Sequence, residues 1–189
     1  MRTSKRDLIL QAAVDLIDRG GLEAVTYESL AEASGMSKSG MVYHFPSRHE
    51  MMLGIHEYQA AQWEKELEAA AGGTADEVDA RTRLRAIVVT MSRSASRAEL
   101  VLQVDAMANQ EFNVPWQDVD SRWMPSADGV VGAGEDDQDA ALARAAYLVQ
   151  VAADGMWLHD QVHEASLSSA QRTALTDAIL AMIPEESEA

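Results

Sequence analysis

Between Ala33 and His49 the chain carries no carboxylate, although Glu32 and Glu50 flank the stretch and 31 Asp and Glu outweigh 15 Lys and Arg in the 189-residue sequence. Lys38, Ser39, Gly40, Tyr43 and His44 lie inside it, with Arg48 near its edge. These residue types suit a duplex. An ammonium can meet phosphate or guanine, and a small hydroxyl can bond a base edge. Glycine admits a close backbone approach, and a phenol and an imidazole can reach backbone phosphates. Like charges at contact would weaken binding to a polyanion, so the gap marks where phosphates would come closest. Thr26 and Tyr27 precede the strip, and Ser47 and Arg48 close it. Each pair stands at an expected helix start, where amides and the helix dipole favour an anion. Lys5 and Arg6 could reach a flanking backbone or minor groove.

The charge is unevenly spread. Residues 1–50 hold six Lys and Arg against seven Asp and Glu; the remainder holds nine against 24. A formal net charge of −16 argues against a polyanion partner for the body of the chain, and the near-neutral N-terminal quarter escapes that argument.

The elements that must position the strip are helical, because apolar residues recur at helical spacing and strand alternation is hard to find. Leu8, Ile9, Ala12, Ala13, Leu16 and Ile17 form one face, stopped at Gly20-Gly21. Thr26 caps a short helix to Ser34, which Gly35 ends, and Ser37 caps a two-turn helix to His44. Met41, Val42 and Phe45 are expected to fix that helix to its neighbours. Ser47-x-x-Glu50 is a capping box for a long helix reaching Ala71. Gly72-Gly73 reads as a joint. Thr74-x-x-Glu77 and Ser96-x-x-Glu99 read as two further boxes, and Asn113-Val114-Pro115 as another helix start. A Gly-rich acidic loop is expected over 125–139, then helices over 140–163 and from Ser168 to Pro184, with an acidic tail. The expectation is an all-α protein of about nine helices. Two short helices joined by a tight Gly-containing turn make a helix-turn-helix, whose second helix enters the major groove.

The segment "LILQAAVDLIDRGGLEAVTYESLAEASGMSKSGMVYHFPSRHEMMLGI" resembles the N-terminal domain of the TetR family of bacterial repressors. The pattern of a helix, Gly and "T-x-x-x-L-A-x-x-x-G-x-S-x-x-x-x-Y-x-H-F-x-S" spans about 50 residues. "RAIVVTMS" and "YLVQVAADGMWLHD" are similar, less specifically, to multidrug-binding actinobacterial members. The resemblance implies a reading head over 1–46 and a ligand-binding and dimerisation domain over 47–189. It further implies a homodimer on a palindromic double-stranded DNA operator, released when a small-molecule inducer changes the spacing of the two heads. It places Thr26, Tyr27, Lys38, Ser39, Gly40, Tyr43, His44 and Arg48 on the DNA-facing side. No cofactor is implied.

Aromatic and Met side chains in the larger part suit adaptable binding. The expected pocket residues are Trp63, Met91, Asp105, Met107, Phe112, Trp116, Trp123, Tyr147 and Asp154. A carboxylate on an apolar face is costly unless paired, so Asp105 and Asp154 suit a lipophilic or aromatic cation, unless Asp105 pairs with an Arg such as Arg122. Taken singly, each Met or Trp is more readily core or dimer interface; the pocket rests on the set and on the resemblance. Trp63 lies on the helix that starts beside the DNA strip and could couple ligand to head. Small residues Ala145, Ala146, Ala152, Ala153 and Gly155, with Leu175, Ile179, Leu180 and Met182, suggest that the last two helices form a dimer bundle.

Other chemistry fits less well. His159 and His163 stand at i and i+4, a chelating spacing, with no third ligand in view. The acidic run after Gly134 lacks EF-hand spacing. No nucleophile elbow, phosphate loop or dinucleotide fingerprint appears, so an enzyme is not expected. A helical small-molecule or metal-binding module without DNA binding is the alternative. Cys is absent, and neither a signal peptide nor an apolar run long enough for a membrane span is found, which suits a cytoplasmic protein.

Overall fold

Helices in this molecule start where a side-chain oxygen meets the first free amides. The structure, a computed structural model, describes residues 4–131 and 137–185. Part of the expected 125–139 loop and the end of the acidic tail lie outside the described residues. Among the described residues there are nine α-helices, one 3-10 turn (Leu22–Ala24) and no strand. The helices are α1 (Lys5–Gly20), α2 (Tyr27–Ser34), α3 (Lys38–His44), α4 (Arg48–Ala71), α5 (Ala80–Met91), α6 (Arg97–Ala108), α7 (Gln110–Trp123), α8 (Gln138–Val162) and α9 (Ser169–Ala181). Ser4, Thr26, Ser37, Ser96 and Ser168 each cap the following helix, with reciprocal boxes at Thr26, Ser96 and Ser168. Ser47 and Glu50 exchange the same pair of bonds at the start of α4.

Two helix starts differ from the sequence reading. The Thr74 amide and hydroxyl both donate to the Glu77 carboxylate, but the Glu77 amide bonds the Thr74 carbonyl, so only half of the box forms, over a lone turn. Asp79 captures the Thr82 amide, and Arg83 binds the Ala75 and Val78 carbonyls, so α5 begins at Ala80. Asn113 is not a start either. Asn109 already supplies Oδ1 to the Glu111 amide and its carbonyl to Phe112 and Asn113. Pro115 therefore sits inside α7, where its missing N–H removes one bond near the first turns.

The chain divides into two compact units. The first comprises residues 1–63 and 96–119. Its core is built from one face of α1 (Ile9, Leu10, Ala13, Ile17), Val25, Leu30, Met41, Phe45, Met51, Ile55 and Leu102, all essentially free of solvent. α1 packs on α2 and α6, and α2 on α3. Gly35, at φ 68° in the left-handed region, makes the turn between α2 and α3. Gly54 is needed for another reason: a Cβ there would lie 2.8 Å from the Phe45 ring and 3.0 Å from the Arg6 guanidinium. α4 thus seats directly against the residue that ends α3. Val42, expected to help fix α3, is instead 46% exposed; Met41 and Phe45 are the buried apolar contacts of the helix.

The second unit comprises residues 64–95 and 120–189. α5, α8 and α9 pack mutually around Leu84, Ile87, Val88, Val149, Ala153, Met156 and Ile179. Arg172 joins the three, donating to the Ser92 and Met156 carbonyls and pairing with Asp160 at 2.6 Å. The amide of Leu167 and that guanidinium hold the Asp160 carboxyl down at about 2. One face of α8 stays uncovered: Leu148, Val151, Gly155, Leu158 and Val162 recur at alternating steps of three and four, and a Cβ on Gly155 would meet nothing. Leu175 and Met182 do the same on α9. This stripe differs from the small-residue set expected from sequence, because Ala153 and Ile179 turn into the core.

Candidate nucleic-acid interface and ligand-facing residues

α3 is positioned by bonds to groups its own residues do not supply. Tyr27 on α2 donates its hydroxyl to the Phe45 carbonyl at 2.7 Å, fixing the end of α3. Arg48, the first residue of α4, donates to the Val25 carbonyl at 2.5 Å and the Leu22 carbonyl at 3.3 Å. It therefore braces the strand of chain that enters α2. Both residues were expected on the DNA face; both are engaged as struts. Arg6, likewise, pairs with Glu57 and lies 5.4 Å from the Phe45 ring centroid.

What α3 leaves outward is polar and open. Ser39 is exposed, within 3.1 Å of the Ser37 hydroxyl. Tyr43 is 83% exposed and stands edge-on to His44. Gly40 lies in the first turn, its amide on Ser37 Oγ. Thr26 caps α2 at the surface, and Lys5 is exposed at the start of α1. Lys38 is exposed too, but its ammonium is ion-paired with Glu28 of α2. That pair lowers the Glu28 carboxyl below its ordinary value. The carboxylate-free run in the sequence is thus met in space by one carboxylate.

The expected pocket residues fall into both units. In the first, Trp63, Asp105, Phe112 and Trp116 belong to one array. His49, His56 and Trp63 recur every seven residues along α4 and interleave with Phe112 and Trp116 of α7. His49 lies 5.2 Å and His56 4.8 Å from the Phe112 centroid, the latter stacked; Trp116 meets His56 edge-on and lies 6.4 Å from Trp63. Asp105 pairs with His56 at 3.0 Å, and not with Arg122, which forms a bidentate pair with Glu64 at 2.7–2.8 Å. His49 pairs with Glu111 at 3.0 Å. A cleft of about 370 Å³ opens beside this array, bordered by Leu22, Arg48, His49, Asp105 and Phe112. Met107 is 82% exposed and borders no part of it.

In the second unit Trp123 is buried, its indole N–H on Glu64. Met91 and Tyr147 are half-buried. Asp154 of α8 has no hydrogen-bond or ion-pair partner among the described residues, and burial raises its carboxyl. Asp120 of α7 is the residue the sequence reading missed. It too lacks a partner, although it keeps an accessible edge. Burial of its carboxyl, with repulsion from Asp154, pushes it up to about 6. The buried Gln150 Oε1, one turn before Asp154, has no donor either. The His159 and His163 rings lie 4.6 Å apart, tilted by 40°, but no group of three ligating side chains exists among the described residues. Nor is any helix there long and apolar enough to cross a membrane.

Comparison with known proteins agrees with this architecture. Residues 9–55 match the family model for bacterial regulatory proteins of the tetR family, and residues 79–184 match that of the tetracyclin repressor-like C-terminal domain. The HTH-type transcriptional regulator RutR of Escherichia coli K12 is 32% identical over 53 residues, 28% of this chain and only 25% of RutR. Among solved structures, a transcriptional regulator from Rhodococcus sp. Rha1 superposes with a TM-score of 0.68 at 18% identity, covering 95% of this chain and 96% of that one. A transcriptional regulator from Saccharomonospora viridis, in complex with choline, gives 0.66 at 22% identity, covering 92% and 94%. At such identities the likeness establishes the fold.

Proposed function

The chain belongs to the TetR family of bacterial transcriptional regulators, and from that premise we propose that it is a ligand-responsive repressor. Its functional boundary falls after residue 46. In this reading α3 enters the major groove of a palindromic operator, with Lys38, Ser39, Gly40, Tyr43 and His44 in contact. Thr26 and Lys5 reach flanking phosphates, while Tyr27 and Arg48 hold α3 in place. The observation that carries the reading is the outward, polar face of α3 in a chain of net charge −16, with the end of α3 held by Tyr27 of α2 and the entry to α2 held by Arg48 of α4.

Two chains are expected to join through the uncovered apolar stripe on α8 and its counterpart on α9, which a four-helix bundle would bury. The inducer is a small lipophilic or aromatic cation. Asp154 and Asp120, costly to ionise and without internal partners, supply its counter-charge; the choline in the Saccharomonospora viridis structure is likewise a small organic cation, though neither lipophilic nor aromatic. Such a protein works in the cytoplasm and is not an enzyme.

Native mass spectrometry of the full chain on a duplex selected from a random-sequence pool tests this. Two chains per duplex are expected, dissociating as a quaternary ammonium dye is titrated in. One chain per duplex, or dye binding that leaves the complex intact, contradicts it.

A further inference from the structure

His56 is 0% exposed, and contact between α3 and DNA makes no use of it. Its two ring nitrogens meet different helices. The Trp116 indole N–H of α7 points at Nδ1 from 3.2 Å, and Nε2 lies 3.0 Å from Asp105 Oδ2 of α6. An indole N–H can only donate, so Nδ1 must be a bare acceptor and the ring proton must sit on Nε2, donating to Asp105. A second proton, on Nδ1, would face the indole hydrogen. The surrounding charges are few. Asp105 is the only one α6 presents, α7 offers Phe112 and Trp116, and on α4 His49 lies across Phe112, held by Glu111. Asp105 alone would favour an imidazolium, but burial outweighs it and lowers the His56 pKa.

We infer that His56 is a positioning residue for DNA recognition: as the neutral Nε2–H tautomer only, it locks α4, whose first turn braces the reading head, against α6 and α7. The route is short. His56 stacks on Phe112, Phe112 lies tilted against His49, and His49 adjoins Arg48, which holds the Val25 and Leu22 carbonyls before α2. Protonation breaks the Trp116 bond and loosens this array, so operator affinity becomes linked to pH. The inference rests on α3 being the DNA-reading element.

The test uses the full chain, a duplex selected from a random pool at pH 8, and three proteins: wild type, His56→Gln and Trp116→Phe. Gln carries one donor and one acceptor and does not titrate in this range, so it can replace the neutral ring. As pH falls through the lowered His56 pKa of the DNA-free chain, below the ordinary 6.5, wild-type affinity drops relative to His56→Gln, by at most about tenfold per pH unit for a single proton. His44 and His49 are common to both proteins, so whatever they contribute cancels in that ratio. In Trp116→Phe the opposing hydrogen is gone while Asp105 remains, so the NMR titration of His56 moves to higher pH than in wild type. A constant ratio of wild type to His56→Gln, or a His56 titration unmoved by Trp116→Phe, overturns the inference. Absence of salt-dependent duplex binding by wild type at pH 8 would instead remove the DNA reading on which it stands.

Discussion

The two units of this chain treat their polar groups differently. In the first, the polar groups that matter are committed. His56 uses both nitrogens, Tyr27 binds Phe45, Arg48 spans two carbonyls, and even the outward Lys38 is paired. In the second, Arg172 is similarly committed, but Asp120, Asp154 and the Gln150 carbonyl oxygen have no protein partner. Asp120 is open to solvent and Asp154 partly so, whereas the Gln150 oxygen is buried, where a polar atom without a partner costs stability. On the proposed reading the contrast is a division of labour, with the first unit holding the DNA-reading helix by internal bonds and the second leaving carboxylates for a ligand.

The largest expected effect probes the committed side. Arg48→Ala should cost roughly 1–3 kcal/mol of stability, by thermal melting, because it leaves two carbonyls without their charged donor. Its salt slope on DNA should stay that of wild type. An unchanged melt with a shallower slope would make Arg48 a phosphate ligand, and the brace would be lost from the comparison. Next comes the uncommitted side. Asp120 has a folded pKa of about 6 against an ordinary 3.8, so its protonated form is favoured by folding. The stability it contributes is complete below the ordinary value and lost as pH rises through about 6. Asp120→Asn should therefore raise stability at pH 7 and give no gain at pH 3.5, while weakening binding of a cationic dye. Equal melts at both pH values would show that the carboxyl is satisfied. The smallest effect concerns Glu28. Removing its charge in Glu28→Gln frees Lys38 and should tighten duplex binding up to about fivefold, the scale of an exposed ion pair. Fluorescence anisotropy at low salt reads it; weaker binding would mean that Glu28 orients Lys38.

Much of the architecture was legible because local chemistry decides helix starts. Thr26, Ser37, Ser47, Ser96 and Ser168 all announced helices that form, and Gly35 the turn between α2 and α3. Thr74 misled because Glu77 reaches back to it across a single turn without a full box, and Asp79 competes three residues before Thr82. Asn113-Val114-Pro115 misled because Asn109 had already supplied a cap. The site was legible at the level of residue type and less so in role. Nothing local says that the Tyr27 hydroxyl reaches a carbonyl 18 positions away, or that Arg48 turns toward Val25. The seven-residue repeat of His49, His56 and Trp63 was visible on α4, but its meaning depends on Phe112 and Trp116, which only tertiary packing brings alongside. Asp120 gave no signal at all: one carboxylate among 31 becomes notable only when burial raises it.

The central claim is that α3 lies in duplex DNA twice per assembled pair. It is tested most directly by the salt dependence of wild type and Lys38→Gln on a duplex selected from a random pool, with circular dichroism confirming that the variant is folded. Two α3 helices per complex predict weaker binding and a log–log salt slope shallower by about two, one for each lost phosphate contact. A Lys38→Gln protein with wild-type affinity and an unaltered slope would contradict it.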